Sequence, residues 1–428
     1  MKKLHLILLC LPFIGFGQGW EKNLELSPIP SKTYSVQQAT DGGYILSGDG
    51  LNGAVMMIKT NTQGDTLWTK MFEDPTKYRV GYHIEKTTDG GYIICGTSSE
   101  PPAQLFDVYI VKTDINGDIQ WEKTIITNGN ESAYCIQQTT DGGYIISGSK
   151  WIDVSLAHDF YLLKIDAQGN VVWVNSFPHA GNGMTMIRDI AHSVKQTIDG
   201  GYIMAGYINS GDIYIVKTDN NGDMQWTRTF GAAGEENAYS IQQTIDGGYV
   251  ICGNTSSFGT GTDDVYLIKI NSSGNLEWQQ TFGDNGFDVG YDVQQTSDGG
   301  YIICGQTSSF GTGTDDVYII KTDINGNQIW YQTFGSLGDD KARSIKQTSD
   351  GGYIICGYSN SFSSTWHTPY LIKTDATGSI TSAFNIQINT NRKLEKTVDI
   401  LGRETKETNQ PLLYLYDDGT VEKRIVIE

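Results

Sequence analysis

The stretch from Tyr239 to Phe282 reads YSIQQTIDGGYVICGNTSSFGTGTDDVYLIKINSSGNLEWQQTF. It contains four short runs rich in β-branched and aromatic residues, which fit strands better than helices. Between them lie Asp246-Gly247-Gly248, a loop rich in Gly, Ser and Thr, and a turn at Ser273 and Gly274. Asp-Gly and Asn-Gly steps supply the positive φ that tight hairpins need. Asp-Gly-Gly-Tyr occurs seven times, beginning at Asp41, Asp89, Asp141, Asp199, Asp246, Asp298 and Asp350, with spacings of 48, 52, 58, 47, 52 and 52 residues. No segment sustains a helical period.

Seven copies of a four-stranded unit near 50 residues predict an all-β fold, a seven-bladed β-propeller. A ring of sheets must join its two ends, and the sequence indicates how. In six repeats a Trp stands nine residues after the third-strand Lys, but in the seventh that place is Ser382. The missing strand is found at the other end of the chain, where Trp20-Glu-Lys-Asn-Leu copies Trp121-Glu-Lys-Thr-Ile and precedes Asp41 by 21 residues. The N-terminal strand is therefore expected to close blade seven as its outermost strand, leaving no free sheet edge at the junction.

Within each unit the strands are named A to D in chain order. From the Asp of Asp-Gly-Gly to the Gly that ends strand B is always 7 residues, whereas the B to C interval is 11 in blades one and four and 16 elsewhere. In an up-and-down blade the B–C and D–A connections share one face of the disc. All length variation thus falls on one face, where a rigid scaffold usually carries its binding residues.

Trp68, Trp121, Trp173, Trp226, Trp278 and Trp330 follow a Gly by four residues. The pattern resembles the Asp-x-x-x-Gly-x-x-x-Trp docking motif of quinoprotein-like propellers, with a turn one residue shorter, and implies packing between blades. A Lys recurs in all seven units, from Lys59 to Lys373, and reads as a paired structural group because a sevenfold repeat poorly suits one catalytic site. Cys95, Cys252, Cys304 and Cys356 share one strand B position, filled elsewhere by Ser47, Ser147 and Ala205. That position wants a small buried side chain, so free thiols are expected.

Two features on the variable face depart from scaffold. Glu131, Asp189, Glu236, Asp288 and Asp340 stand just before strand A at equivalent positions. They either cap loops by accepting backbone N–H groups or ring one mouth of the channel and hold a cation, for which Ca²⁺ is the candidate. Trp151 with His158, and Trp366 with His367, add aromatic and imidazole groups to two B–C loops and are the candidate ligand-binding residues, suited to stacking on a sugar or peptide. No Ser/His/Asp set, carboxylate pair or phosphate-cradling loop can be placed, so no catalytic residue is expected.

Gly (51) and Pro (9) together make about 14% of the 428 residues, below the roughly 25–30% typical of disordered chains. With 49 acidic against 30 basic residues the net charge is -19, which disfavours nucleic acid and anionic membranes as partners. Lys2 and Lys3 before an apolar run to Phe16, with Gly15 and Gly17 ahead of Gln18, read as a signal peptide over residues 1–17. The propeller should occupy 18–380, and a small β-sandwich-like C-terminal domain 381–428. That last segment carries Val398-Asp399-Ile400-Leu401-Gly402-Arg403-Glu404 and Tyr416-Asp417-Asp418-Gly419-Thr420-Val421-Glu422-Lys423-Arg424. It resembles the C-terminal sorting domain of the type IX (Por) secretion system, with Gly402, Arg403, Gly419 and Lys423 among the matching residues. The resemblance implies recognition by that translocon and export through the periplasm to the surface or medium of a Gram-negative cell. The expected product is a monomeric surface or extracellular binding module for a glycan or protein ligand that the sequence does not name. The alternatives are a propeller enzyme, glycan-active or quinoprotein-like, and a structural adhesion component.

Overall fold

The computed structural model describes residues 19–24, 30–100, 105–126, 129–152, 157–178, 189–208, 211–362, 366–380, 394–399, 411–416 and 421–425. The segment 1–17, read as a signal peptide, and Gly402, Arg403 and Gly419, read as part of a sorting signal, lie outside them, as does the Lys423 side chain. The chain forms two compact units, divided between Ser382 and Ala383. The second contains a three-stranded antiparallel sheet of Leu394–Asp399, Pro411–Tyr416 and Val421–Ile425.

The first unit is a seven-bladed β-propeller, each blade a four-stranded antiparallel sheet. Blade five is representative, with strands Glu236–Gln243, Tyr249–Thr255, Asp264–Ile270 and Leu276–Phe282 running from the axis outward. Strands B and C of this blade are buried along their whole length, while strand D is half-exposed. This explains why strands B and C read as continuous apolar runs rather than alternating ones: both of their faces meet a neighbouring blade. The core accordingly lies between blades. One cluster joins Cys95, Val108 and Ile110 of blade two to Ile136, Ile146 and Tyr161 of blade three.

Ring closure follows the sequence expectation. Trp20–Asn23 pairs antiparallel with Thr368–Thr374, with Trp20 opposite Lys373, and becomes the outermost strand of blade seven. Each strand D Trp lies against the turn glycine of the following blade. Gly64 (φ +79°) faces Trp20, Gly117 (φ +78°) faces Trp68, and the series runs round to Gly378 against Trp330. A β-carbon on any of these glycines would intrude on the indole ring. Trp20 therefore supplies the seventh of seven equivalent contacts.

The repeated lysines are structural, as expected. Lys59 pairs with Asp41 at 2.8 Å, Lys217 with Asp199 at 2.9 Å and Lys321 with Asp298 at 3.0 Å, and the other four follow the same pattern. Each ammonium also reaches the next residue's carbonyl, for example Thr60 O at 3.0 Å from Lys59 Nζ. The buried charge is thus paired and bonded, the condition under which burial is tolerated. All five described cysteines are free and buried.

Because Trp20 carries the closing contact, deleting residues 18–25 should lower the melting temperature far more than deleting 308–313 from a B–C loop. Differential scanning calorimetry on both variants checks this, and equal losses would contradict closure by the N-terminal strand.

Candidate functional site

Strand A of every blade carries a β-bulge at one position. The register between strands A and B skips one residue in each blade: Tyr34, Tyr82, Tyr134, His192, Tyr239, Tyr291 and Arg343. A bulge re-aims a side chain that the strand's alternation would place elsewhere. Its cost is met by the Gly that ends each strand B run. A β-carbon on Gly253 would overlap the carbonyl oxygen of Asn237, and Gly48, Gly96, Gly148, Gly206, Gly305 and Gly357 stand in the same relation to their own strands A.

The seven bulged side chains form a closed collar around the axis. Ring centroids are 5.6 Å apart for Tyr34 and Tyr82, and 5.3 Å for Tyr82 and Tyr134. His192 follows at 5.0 Å from Tyr134 and 5.1 Å from Tyr239, and Tyr291 lies 5.0 Å beyond Tyr239. The Arg343 guanidinium sits 3.9 Å from the Tyr291 centroid, a cation–π contact. Tyr358, on strand B of blade seven, bridges the remaining gap to Tyr34 at 6.4 Å. The residue after the strand B Gly anchors several members: Tyr34 Oη donates to Asp49 Oδ2 at 3.2 Å, Tyr291 Oη to Gln306 Oε1 at 2.9 Å, and Arg343 Nη2 to Tyr358 Oη at 2.8 Å.

Below the collar is a cavity of about 300 Å³, lined further by His83, Cys135, Asp292, Lys195 and Lys346. Most of these side chains tie neighbouring blades together. Asp292 accepts Lys346 Nζ at 2.7 Å, Ile345 N at 3.0 Å and Ser240 Oγ at 3.0 Å. His83 Nδ1 accepts Ile136 N at 3.5 Å, and Glu85 Oε2 accepts Gln138 N at 3.0 Å. Lys195 takes a place held in other blades by acceptors such as Gln137, which bonds Gln196 N at 2.6 Å.

Enclosure sets the charge states. Burial pushes His83 down to about 3, with Lys195 and Lys346 adding to the effect, and burial with Arg343 takes His192 down to about 4, so both imidazoles are neutral near pH 7. Burial raises Asp292, but Lys346 and its hydrogen bonds outweigh this and hold it below the usual carboxylate range. Burial dominates at Glu85 and pushes it up to about 7 against the pull of Lys195, the Gln138 N–H and Lys346.

The aligned acids, read either as loop caps or as a ring at the channel mouth, lie away from the central cavity. Glu131, Asp189, Glu236, Asp288 and Asp340 are fully buried, and none lines the central cavity. Glu131, Glu236, Asp288 and Asp340 stand three residues ahead of their bulges, too early in strand A to reach the collar. Glu236 accepts Thr255 Oγ1 at 2.7 Å, Asp288 accepts Asp284 N at 3.2 Å, and Asp340 accepts Ser336 N at 2.9 Å, each fastening a loop. No group of three or more His, Cys, Asp or Glu suited to a metal occurs among the described residues.

Trp151 and His158 pair across strands B and C of blade three, with ring centroids 4.8 Å apart, while Trp366 and His367 belong to blade seven. The two pairs are on non-adjacent blades and do not form one site. His367 does approach the collar indirectly, packing 5.1 Å from Tyr358, the anchor of Arg343. Sequence reading missed the collar itself. The available signal was the column seven residues before each Asp-Gly-Gly, combined with the obligatory strand B Gly.

Glu85 gives a testable consequence for stability. Its folded-state value near 7 exceeds the ordinary 4.5, so the native state holds a proton that the unfolded chain has released, and stability falls as pH rises between these values. Glu85→Gln keeps the acceptor for Gln138 N and removes that charge. It should gain on the order of 1–3 kcal/mol relative to wild type on going from pH 4.5 to pH 8, read by urea melts. Parallel pH profiles for the two proteins would refute this assignment.

No protein-family model and no curated protein matches the chain. Solved structures do match in fold. A catalytically inactive virginiamycin B lyase from Staphylococcus aureus, with quinupristin, is 12% identical with a TM-score of 0.54, covering 83% of this chain and 100% of its own. Puromycin hydrolase is 11% identical with a TM-score of 0.52, and the match covers 90% of this chain but only 58% of the hydrolase. At these identities the likeness is one of fold, and it adds independent support for the seven-bladed propeller.

Proposed function

We propose that this chain is an exported or cell-surface binding module whose ligand enters the tyrosine collar of the central channel. The observation that carries the reading is the closed ring of bulged side chains over a cavity of about 300 Å³. Concave sites with aromatic walls and a few convergent polar groups are the usual form of small-ligand pockets. The collar residues stand midway along strand A, and the variable loops join the end where that strand begins, so a ligand that spans both can meet loops and collar. Export rests on the signal-like N-terminus and the sorting-domain resemblance of residues 381–428. The collar has flat faces and a cation but no nucleophile paired with a base, which favours binding over turnover.

A glycan and peptide array with the full chain, compared with Tyr134→Ala and Tyr239→Ala, tests the site. Retention of a ligand by the wild type, its loss at least tenfold in both variants at unchanged melting temperature, and no consumption of the ligand are expected. Binding unaffected by both substitutions would place the site elsewhere, and turnover would replace the reading with an enzyme. For export, a chain ending at Ala383 should accumulate in the periplasm of a type IX-competent host while the full chain reaches the surface or medium. Unchanged secretion of the shorter chain would reject the sorting role.

A further inference from the structure

Around the channel three cations, Arg343, Lys195 and Lys346, face two carboxylates, Asp292 and a Glu85 that burial pushes up to about 7, so positive charge is in excess. Asp292 pairs with Lys346 and also accepts from Ser240 Oγ, Ser344 Oγ and Ile345 N. Lys195 lines the cavity with no hydrogen bond and no carboxylate within 4 Å among the described residues, and Glu85 and Asp292 act on it only through space. Arg343 likewise has no carboxylate partner there. Its one hydrogen bond is from Nη2 to Tyr358, and its Nε is buried without an acceptor. Enclosed charges are ordinarily paired, because removing an ion from water costs several kcal/mol unless a counter-charge and hydrogen bonds replace the hydration. Two such cations are all the more notable in a chain of net charge -19. Blades four and seven, which carry Lys195 and Arg343, lie across the ring from each other, and Arg343 is in the collar while Lys195 sits three positions deeper along strand A.

From this unbalanced charge beneath an aromatic collar, we propose that the channel takes a single acidic sugar, a uronic acid unit, with its carboxylate drawn to Arg343 and Lys195 and its ring face against the tyrosines. The proposal rests on the collar being the binding site and adds the ligand's class. A guanidinium presents a planar fork that matches a carboxylate. Tyrosine offers a flat face for the C–H side of a sugar ring and a hydroxyl for its polar edge. The cavity holds about one monosaccharide, and the narrow bore strengthens the field of the two cations by excluding water. The contacts are the same for a free sugar acid and for the terminal unit of an acidic glycan.

Titration calorimetry on the full chain with D-glucuronate, D-glucose and benzoate decides the matter. Glucuronate should bind at least tenfold more tightly than glucose or benzoate. Arg343→Gln should reduce it to the glucose level, Lys195→Gln should weaken it severalfold, and both variants should keep the wild-type melting temperature. If Arg343→Gln fails to fold, Lys195→Gln and the glucuronate-to-glucose ratio still decide. A polymer ending in glucuronate that binds as well as the monosaccharide identifies a glycan terminus as a source, whereas binding of the monosaccharide alone identifies the free acid. Equal binding of glucuronate and glucose, tighter binding of benzoate, or no effect of either substitution would overturn the proposal. A neutral array ligand lost in Tyr239→Ala, with no glucuronate binding, would overturn the acidic-sugar assignment while leaving the collar as the site.

Discussion

The contact of each strand D Trp with the turn glycine of the next blade is the interaction on which the rest of the propeller depends. It sets the spacing between blades, and among the described residues the buried apolar clusters lie between blades. An indole can lie flat on the turn because the glycine there has positive φ and no β-carbon, so the two residue types recur together. The ring is complete only when Trp20, carried at the far end of the chain, takes the seventh position, opposite Lys373 and over Gly64. One cluster then joins Val36 and Met56 of blade one to Ile354 and Leu371 of blade seven.

The bulge in strand A follows from the same repetition, with a different use. Seven equivalent skips turn seven side chains toward the axis, and the strand B glycines accommodate the displaced carbonyls. Where the Trp and Lys columns are uniform because each copy performs the same structural task, the collar column varies, with five tyrosines, one His and one Arg. Sevenfold geometry with broken chemical symmetry is what a single asymmetric ligand on the axis requires. Deeper rows vary too: His83, Asp292, Lys195 and Lys346 differ from the Ser and Gln found in other blades.

The blade count, the closing strand and the structural lysines were legible in the sequence because each rests on a short motif that recurs in every copy. The Lys and the Asp of each pair, such as Lys59 and Asp41, recur in all seven copies although 18 residues separate them in blades one and four and 23 elsewhere. The collar was not legible in this way, since a Tyr in a strand is also an ordinary strand former and only the bulge turns it inward. The alignment of Glu236, Asp288 and Asp340 across blades was visible, but the sequence left their two readings open, and the hydrogen bonds of these three fasten loops. Trp151 and His158 proved to be each other's neighbours across a hairpin.

The account stands on the collar being a ligand-facing ring rather than internal packing, and tyrosine-ring NMR addresses this most directly. With ring-labelled tyrosine in the full chain and D-glucuronate as titrant, the signals of Tyr34, Tyr82, Tyr134, Tyr239 and Tyr291 should shift together with one affinity, while the strand B tyrosines Tyr92 and Tyr249 stay in place. Glucuronate-induced shifts confined to tyrosines outside the collar, with the five collar signals unmoved, would contradict it.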